Sequence, residues 1–386
     1  MGIVRRPHGL ISGVTSVALL AALPALALSA PAAQAQVPAG LSERSAVAQA
    51  MASGDSVEVT SELTEYSKTT ANPDGTLTLV QSTTPQRVKR SDGSWDAVDP
   101  TLERRSDGTV GPKASVVGLS FSGGGDGKDL IRLSSEKGAM VLGWPGKLPE
   151  PVLDGATATY PEVFKGVDLQ VTATTEGYRE VLVVKSAEAA ANPALEQVSL
   201  SVSGEGLQVL TSAGGGLRAL DEDGNAVFGG PAGMMWDSAG DAAGDTAATG
   251  MRSMSVDPSA VTEAPDTPNP EAEKAQPGPG DKSAELPVQV SGDAVTVKPD
   301  LALLHGKSTV FPLFIDPPVG LGVSERTVLS SDGDHFWQFS GDYGVGKCAT
   351  VGPYYCGSNY TNRMYFEFSP SKLSGKYVLD ATFRAK

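Results

Sequence analysis

The sequence predicts an all-β fold of antiparallel β-sandwich modules joined by hairpins, and three observations carry that expectation. First, β-branched or alternating runs recur at Val57–Leu63, Leu77–Gln81, Val167–Ala173, Val181–Val184, Val198–Val202, Val288–Val290 and Tyr365–Phe368. Second, Asp-Gly pairs punctuate them: Asp74-Gly75, Asp92-Gly93, Asp107-Gly108, Asp154-Gly155, Asp223-Gly224 and Asp332-Gly333. Both residue types tolerate positive φ, so a type I′ hairpin turn is expected at each pair. Third, helical patterns are few and short, at Ser42–Met51 and at Ser186–Ala191 ahead of Pro193. Parallel strands would need longer helices between them.

The chain opens with an export signal. Arg5 and Arg6 precede an apolar stretch from Leu10 to Leu28, and small residues lead to Ala33-Gln34-Ala35. That A-x-A pattern places cleavage between Ala35 and Gln36, so residues 1–35 read as a signal peptide. A retained anchor is disfavoured by Gly13, Pro24 and the absence of a positive flank after the apolar stretch. No second run of spanning length follows, so no transmembrane anchor is expected once the signal is removed.

Composition constrains the rest. The net charge is −15 and grows more negative once Arg5 and Arg6 are lost. That balance argues against nucleic acid or anionic lipid as a partner. Gly (45) and Pro (27) are enriched, as a turn-rich chain requires. After the signal we expect an N-terminal β domain over 41–194 and a second β domain over 195–318. A truncated sandwich over 319–386 would follow. Residues 237–285 hold six prolines, ten acidic and three basic side chains and no aromatic. They cannot bury enough apolar surface to order themselves, so a disordered acidic insertion is expected within the second domain. Near the end, Tyr377–Arg384 reads as a strand with no closing partner, as at the front of something longer.

Cys348 and Cys356 are the only cysteines. In an exported chain they read first as a local disulfide closing the loop between them. A half-built metal site and pairing with other cysteines stay open as alternatives.

The segment Cys348–Arg384, with Tyr360-Thr361-Asn362-Arg363-Met364-Tyr365-Phe366-Glu367-Phe368 and Leu373-Ser374-Gly375-Lys376-Tyr377-Val378-Leu379-Asp380-Ala381, resembles the opening strands of a DNRLRE-type β-sandwich. Upstream, Asp92-Gly93-Ser94-Trp95, Ala158-Thr159-Tyr160, Gly166-Val167-Asp168-Leu169 and Phe314-Ile315-Asp316-Pro317 resemble the N-terminal region of large secreted actinobacterial proteins. Those proteins carry LamG-like lectin domains or RHS-type repeats further on. The resemblance implies an extracellular or wall-associated role with carbohydrate-binding modules. No complete LamG domain or RHS repeat lies in this chain, so activities housed there are not carried over.

Catalytic signatures are weak. Beyond the signal only His305 and His335 remain, and neither sits in H-E-x-x-H or G-x-S-x-G. Asp332-Gly333-Asp334-His335-Phe336-Trp337 reads as a turn entering an aromatic strand rather than a cation site. Asp221-Glu222-Asp223-Gly224-Asn225 lacks the later ligands of a calcium loop. Ser122 and Asp129 break the phosphate-loop pattern around Gly123–Lys128, and Ser134-x-x-Lys137 and Ser369-x-x-Lys372 lack companion motifs. No catalytic residue, metal or cofactor is therefore assigned. Trp337, Tyr343, Tyr354 and Tyr355 gather around the cysteine loop and are the candidate ligand-binding residues, since sugars dock on exposed aromatic faces. The expectation is a non-catalytic, secreted, modular protein, part of a cell-surface or wall-associated assembly, with a cell-wall or extracellular glycan as partner. A glycan hydrolase with unrecognised carboxylates and the delivery segment of an RHS-type toxin are its rivals.

Overall fold

Alternation of apolar and polar residues becomes two-faced sheets in the computed structural model, which describes residues 40–212, 215–230, 233–240, 277, 280–317, 326–330, 335–337, 346–347, 361–366 and 368–384. Helix α1 (Glu43–Ser53) starts where the Ser42 hydroxyl caps the Ser45 amide, and ends where Gly54 turns left-handed at φ 79°. It packs on a three-stranded sheet of β1 (Val57–Glu58), β2 (Ser67–Ala71) and β3 (Leu77–Gln81). The expected strand Val57–Leu63 is thus cut short. A single 3-10 turn over Thr60–Glu62 replaces its second half, and the Glu62 carboxylate accepts from the Thr69 hydroxyl at 2.9 Å.

A hairpin of β4 (Arg87–Lys89) and β5 (Trp95–Ala97) follows. Five strands then run as a meander: β6 (Asp99–Arg104), β7 (Val110–Ala114), β8 (Gly118–Phe121), β9 (Ile131–Ser135) and β10 (Gly138–Gly143). Next come β11 (Val152–Asp154), β12 (Thr157–Phe164), β13 (Val167–Ala173) and β14 (Tyr178–Val184), which open a second sheet. Helix α2 (Ala187–Ala190), capped by Ser186, leads to β15 (Val198–Glu205). A small sheet holds β16 (Gln208–Thr211), β17 (Leu217–Leu220) and β18 (Ala226–Gly229). The chain continues through β19 (Gly233–Trp236), β20 (Ser283–Leu286), β21 (Val288–Ser291), β22 (Ala294–Val297), helix α3 (Leu301–Leu304) and β23 (Leu313–Asp316). Finally β24 (Arg326–Ser330), β25 (His335–Trp337), β26 (Gly346–Lys347) and β27 (Thr361–Phe366) pair among themselves.

The large sheets have the orders β21-β22-β15-β10-β9-β8-β7-β6 and β11-β12-β13-β14-β23-β19-β20, and every register pairing within them is antiparallel. Register puts like with like across the first: Val110 faces Phe121, Phe121 faces Ile131, Ile131 faces Leu142, and Leu142 faces Val202. In the second, Leu169 faces Leu182 and Leu182 faces Ile315. All of these are buried in one core, the arrangement of a β-sandwich. Each such side chain contributes about 1.5–3 kcal/mol on leaving water.

This core corrects the expected boundary at 194/195. Strand β15 pairs with β10, β23 pairs with β14, and residues from both sides share the same interior, so 41–194 and 195–318 do not form separate bodies.

The hairpins also correct the expected turn. Glycines 75, 93, 108 and 224 have φ between 81° and 85°, but the preceding Asp residues do not turn positive. The amide of each glycine instead donates three residues back, to Asn72, Arg90, Arg105 and Asp221. That is a type I turn closed by a left-handed glycine, not type I′. The side chain decides it: Asp74, Asp92 and Asp107 each accept from both the amide and the hydroxyl of the Thr or Ser two residues on. At Asp154-Gly155 the loop is Gly155-Ala156, with positive φ at the glycine alone, as in type II′. Asp332-Gly333 lies outside the described residues.

The insertion begins and ends on paired strands. Trp236 of β19 lies opposite Ser283 of β20, so the flanks of the expected 237–285 segment meet, and Ser283–Glu285 belong to a strand rather than to a disordered stretch. The neck is pinned by Asp237, fully buried. Its carboxylate accepts from the amides of Lys282 at 2.8 Å, Val310 at 3.1 Å and Ala239 at 3.2 Å. The rest of the segment, residues 241–276 and 278–279, lies outside the described residues.

At the other end, residues 377–384 pair with no strand among the described residues, and Tyr377 is 96% exposed. The strand expected at Tyr365–Phe368 is shifted to Thr361–Phe366. Just before that end the chain returns to its beginning: Gln81 donates to the Ser369 carbonyl at 3.1 Å, and Lys376 pairs with Glu43.

Candidate functional site

The outer face of the eight-stranded sheet carries a cleft of about 460 Å³ beside the β4–β5 hairpin. Its floor follows from register. While Leu119 and Leu133 face each other toward the core, their neighbours Ser120 and Arg132, and Gly118 and Ser134, pair on the outside. Gly118 keeps the floor low, and Gly111 makes room for the side chain of Arg105. A Cβ on Gly118 would fall 2.2 Å from the Ser134 hydroxyl, and one on Gly111 would fall 2.3 Å from the Arg105 guanidinium. The second glycine therefore gives the arginine its seat.

Five cations line the cleft, Lys89, Arg90, Arg105, Lys113 and Arg132, against one carboxylate, Asp96. Two cations are matched. Arg90 pairs with Asp96, and Arg132 grips Glu205 with two parallel bonds of 2.7 and 2.5 Å. That grip holds the Glu205 carboxyl below its usual range. The other three cations make no ion pair within 4 Å among the described residues. Lys89 faces the Trp95 ring at 5.7 Å, a cation–π distance. Arg105 and Lys113 are exposed. Asp107 and Asp99 stand near them, but the carboxyls of both are lowered mainly by hydrogen bonds from their own turn partners, Thr109 and Thr101. The result is a surplus of positive charge, fringed by the hydroxyls of Ser115, Ser120 and Ser134, on a chain of net charge −15. Guanidinium and ammonium groups carry charge at neutral pH, so the chemistry such an arrangement offers is charge-assisted hydrogen bonding to anions.

A second cleft of about 450 Å³ lies between Tyr66 and the β17–β18 hairpin, with Val227 and Phe228 in its apolar wall. Lys137 and Asp221 approach to 3.9 Å at its rim, and Glu65 and Glu176 also line it, so this cleft is acidic where the first is basic. Of the buried carboxylates, Glu176 lines this cleft, whereas Glu180 and Asp316 lie elsewhere. Glu180 faces the core of the sandwich, where burial and the neighbouring Asp316 push its carboxyl up to about 8. Burial likewise lifts Asp316 to about 7, although Arg179 at 3.1 Å pulls against the rise. Tyr178, also raised by burial, leaves its hydroxyl without a hydrogen-bond partner among the described residues. None of these three lines either cleft.

Of the residues singled out in the sequence, Trp337 falls on β25, where the backbone alone is described. Tyr343, Tyr354, Tyr355, Cys348 and Cys356 lie outside the described residues, as do Ala35 and Gln36. His335 heads β25, while His305 caps α3 and stands 4.0 Å from Glu196. Asp221–Asn225 form the β17–β18 turn, the Asp221 carboxylate accepting from the Asp223 and Asn225 amides. The basic cleft carries no local signature. Residues 87–113 contain six basic and five acidic side chains, and only folding sorts them to one surface. The one quoted motif near it is Asp92-Gly93-Ser94-Trp95, which forms the loop of the β4–β5 hairpin.

No helix among the described residues is long and apolar enough to cross a membrane. No protein-family model matches the chain, and no significant match was found among the curated proteins or the solved structures.

Proposed function

We propose that the chain is a non-catalytic, secreted, modular protein of the cell surface or wall that contributes glycan or partner binding. The observation that carries this reading is the open basic cleft on the outer face of the eight-stranded sheet. It offers fixed charges and hydroxyls to an extended ligand, and its cations are poor proton carriers at neutral pH. The export signature at residues 1–35 supports an extracellular setting for such a ligand. A sandwich suits the role, because its rigid strands hold the cleft residues in place at little entropic cost on binding.

Incubation of the purified protein with isolated cell-wall polysaccharide tests the reading. The expected outcome is co-sedimentation with the wall material and no release of reducing ends. Reproducible release of reducing ends would overturn the non-catalytic assignment, and protein left wholly in the supernatant would overturn the binding one.

A further inference from the structure

We infer that the cleft between the β4–β5 hairpin and strands β7–β9 takes an acidic polysaccharide, one whose sugars carry carboxylate groups. This deepens the glycan-binding reading by naming the class of ligand and the residues that select it.

Three features converge on that chemistry. Charge comes first: Lys89, Arg105 and Lys113 lie around one opening without an ion pair among the described residues. Cations held this close repel one another, and an arriving anion relieves that repulsion while forming charge-assisted hydrogen bonds. Arg105, an exposed side chain lining the cleft, rests its guanidinium against Gly111, and a guanidinium can contact a carboxylate at two points.

Hydroxyl recognition comes second. Ser115, Ser120 and Ser134 supply groups that both donate and accept, which suits sugar hydroxyls between the charged positions. Trp95, half-buried on β5 opposite Lys89, sets an aromatic ring on the same hairpin. Third is extent. The cleft volume of about 460 Å³ accommodates a short stretch of a polymer, not a wide duplex. A nucleic acid duplex spreads dense negative charge well beyond such an opening.

The test is affinity electrophoresis of the purified protein through gels containing polygalacturonate or dextran, with a short DNA duplex as competitor. Polygalacturonate should retard the protein, less so as salt is raised, and dextran should not. The double variant Arg105→Glu/Lys113→Glu should weaken retardation by about tenfold or more, as expected for losing two charge-assisted contacts and adding repulsion. Both side chains are exposed, and a thermal melt checks the fold; if the double variant fails that check, Lys113→Gln alone should still give a several-fold loss. Retardation by polygalacturonate that the variants leave unchanged overturns the assignment to this cleft. Equal retardation by dextran, or displacement by DNA at equal charge concentration, overturns the acidic-saccharide assignment. If no polygalacturonate binding occurs while wall co-sedimentation persists, this inference falls and the broader binding function stands.

Discussion

Glu180 occupies the middle of β14 on the same face as Tyr178 and Leu182, directly across from Val171, where a hydrophobic side chain would be ordinary. One of its oxygens has no hydrogen-bond partner among the described residues, and burial pushes its carboxyl up to about 8 from the usual value near 4. The unfolded chain therefore releases this proton near pH 4, while the folded chain keeps it until about pH 8. Across that window the native state holds more protons, so stability falls as pH rises and levels off above it. Asp316 acts with the same sign up to about pH 7. The isosteric Glu180→Gln removes this titration. Its melting midpoint should roughly match the wild type at pH 4–5 and exceed it at pH 8, by about 1–3 kcal/mol of stability. Melts followed by circular dichroism at both pH values check this, and an unchanged gap between the two proteins would refute it. Neither Glu180 nor the cleft cations could be singled out in the sequence. A glutamate in Tyr178–Val184 looks like the polar member of an alternating strand, and its burial depends on which face the β13 pairing turns inward.

At the scale of the element, the hairpins with a left-handed glycine at 75, 93, 108 and 224 show what local signals encode. The Asp-Gly pairs located the reversals, while the turn type depended on the Asp side chain binding its own backbone two residues on. Gly108 has φ 85° and open space where a Cβ would stand, so Gly108→Ala should cost about 1 kcal/mol from backbone strain alone. Gly127 has φ 78°, but its Cβ would fall 2.2 Å from the Gly146 carbonyl oxygen, so Gly127→Ala should cost clearly more. Urea melts of the two variants compare them; equal losses would mean that the second site relaxes freely. Strands with clean alternation were legible to the residue, as with Leu77–Gln81 and Val167–Ala173. Those containing Gly or Pro were not, among them Val110–Ala114 and Gly118–Phe121. Proline within β7 contradicts local strand preference, and neighbouring strands supply the order that the segment lacks alone.

Over the whole molecule, chain length suggested two β domains meeting at 194/195, with residues 237–285 as an insertion within the second. The insertion is where the pairing puts it, since the strands on either side of 237–285 pair with each other and with β23, but the strands on either side of 194/195 share one sandwich. A protease that cuts within 241–276 should therefore yield two fragments that co-elute on gel filtration and separate only in denaturant. Fragments that part under native conditions would sink the single-sandwich arrangement. Likewise, replacing 241–279 with a short glycine-serine linker should leave the melting midpoint within a few degrees, because the Gly240 amide already bonds to the Asp281 carboxylate at 2.6 Å. The place of β23 between β14 and β19 has a further effect on the order of events in the life of the chain. Synthesis delivers residues from the N-terminus, and until Leu313–Asp316 emerges the seven-stranded sheet lacks an internal member. The last strand of this sheet to arrive is therefore the one that joins its two halves.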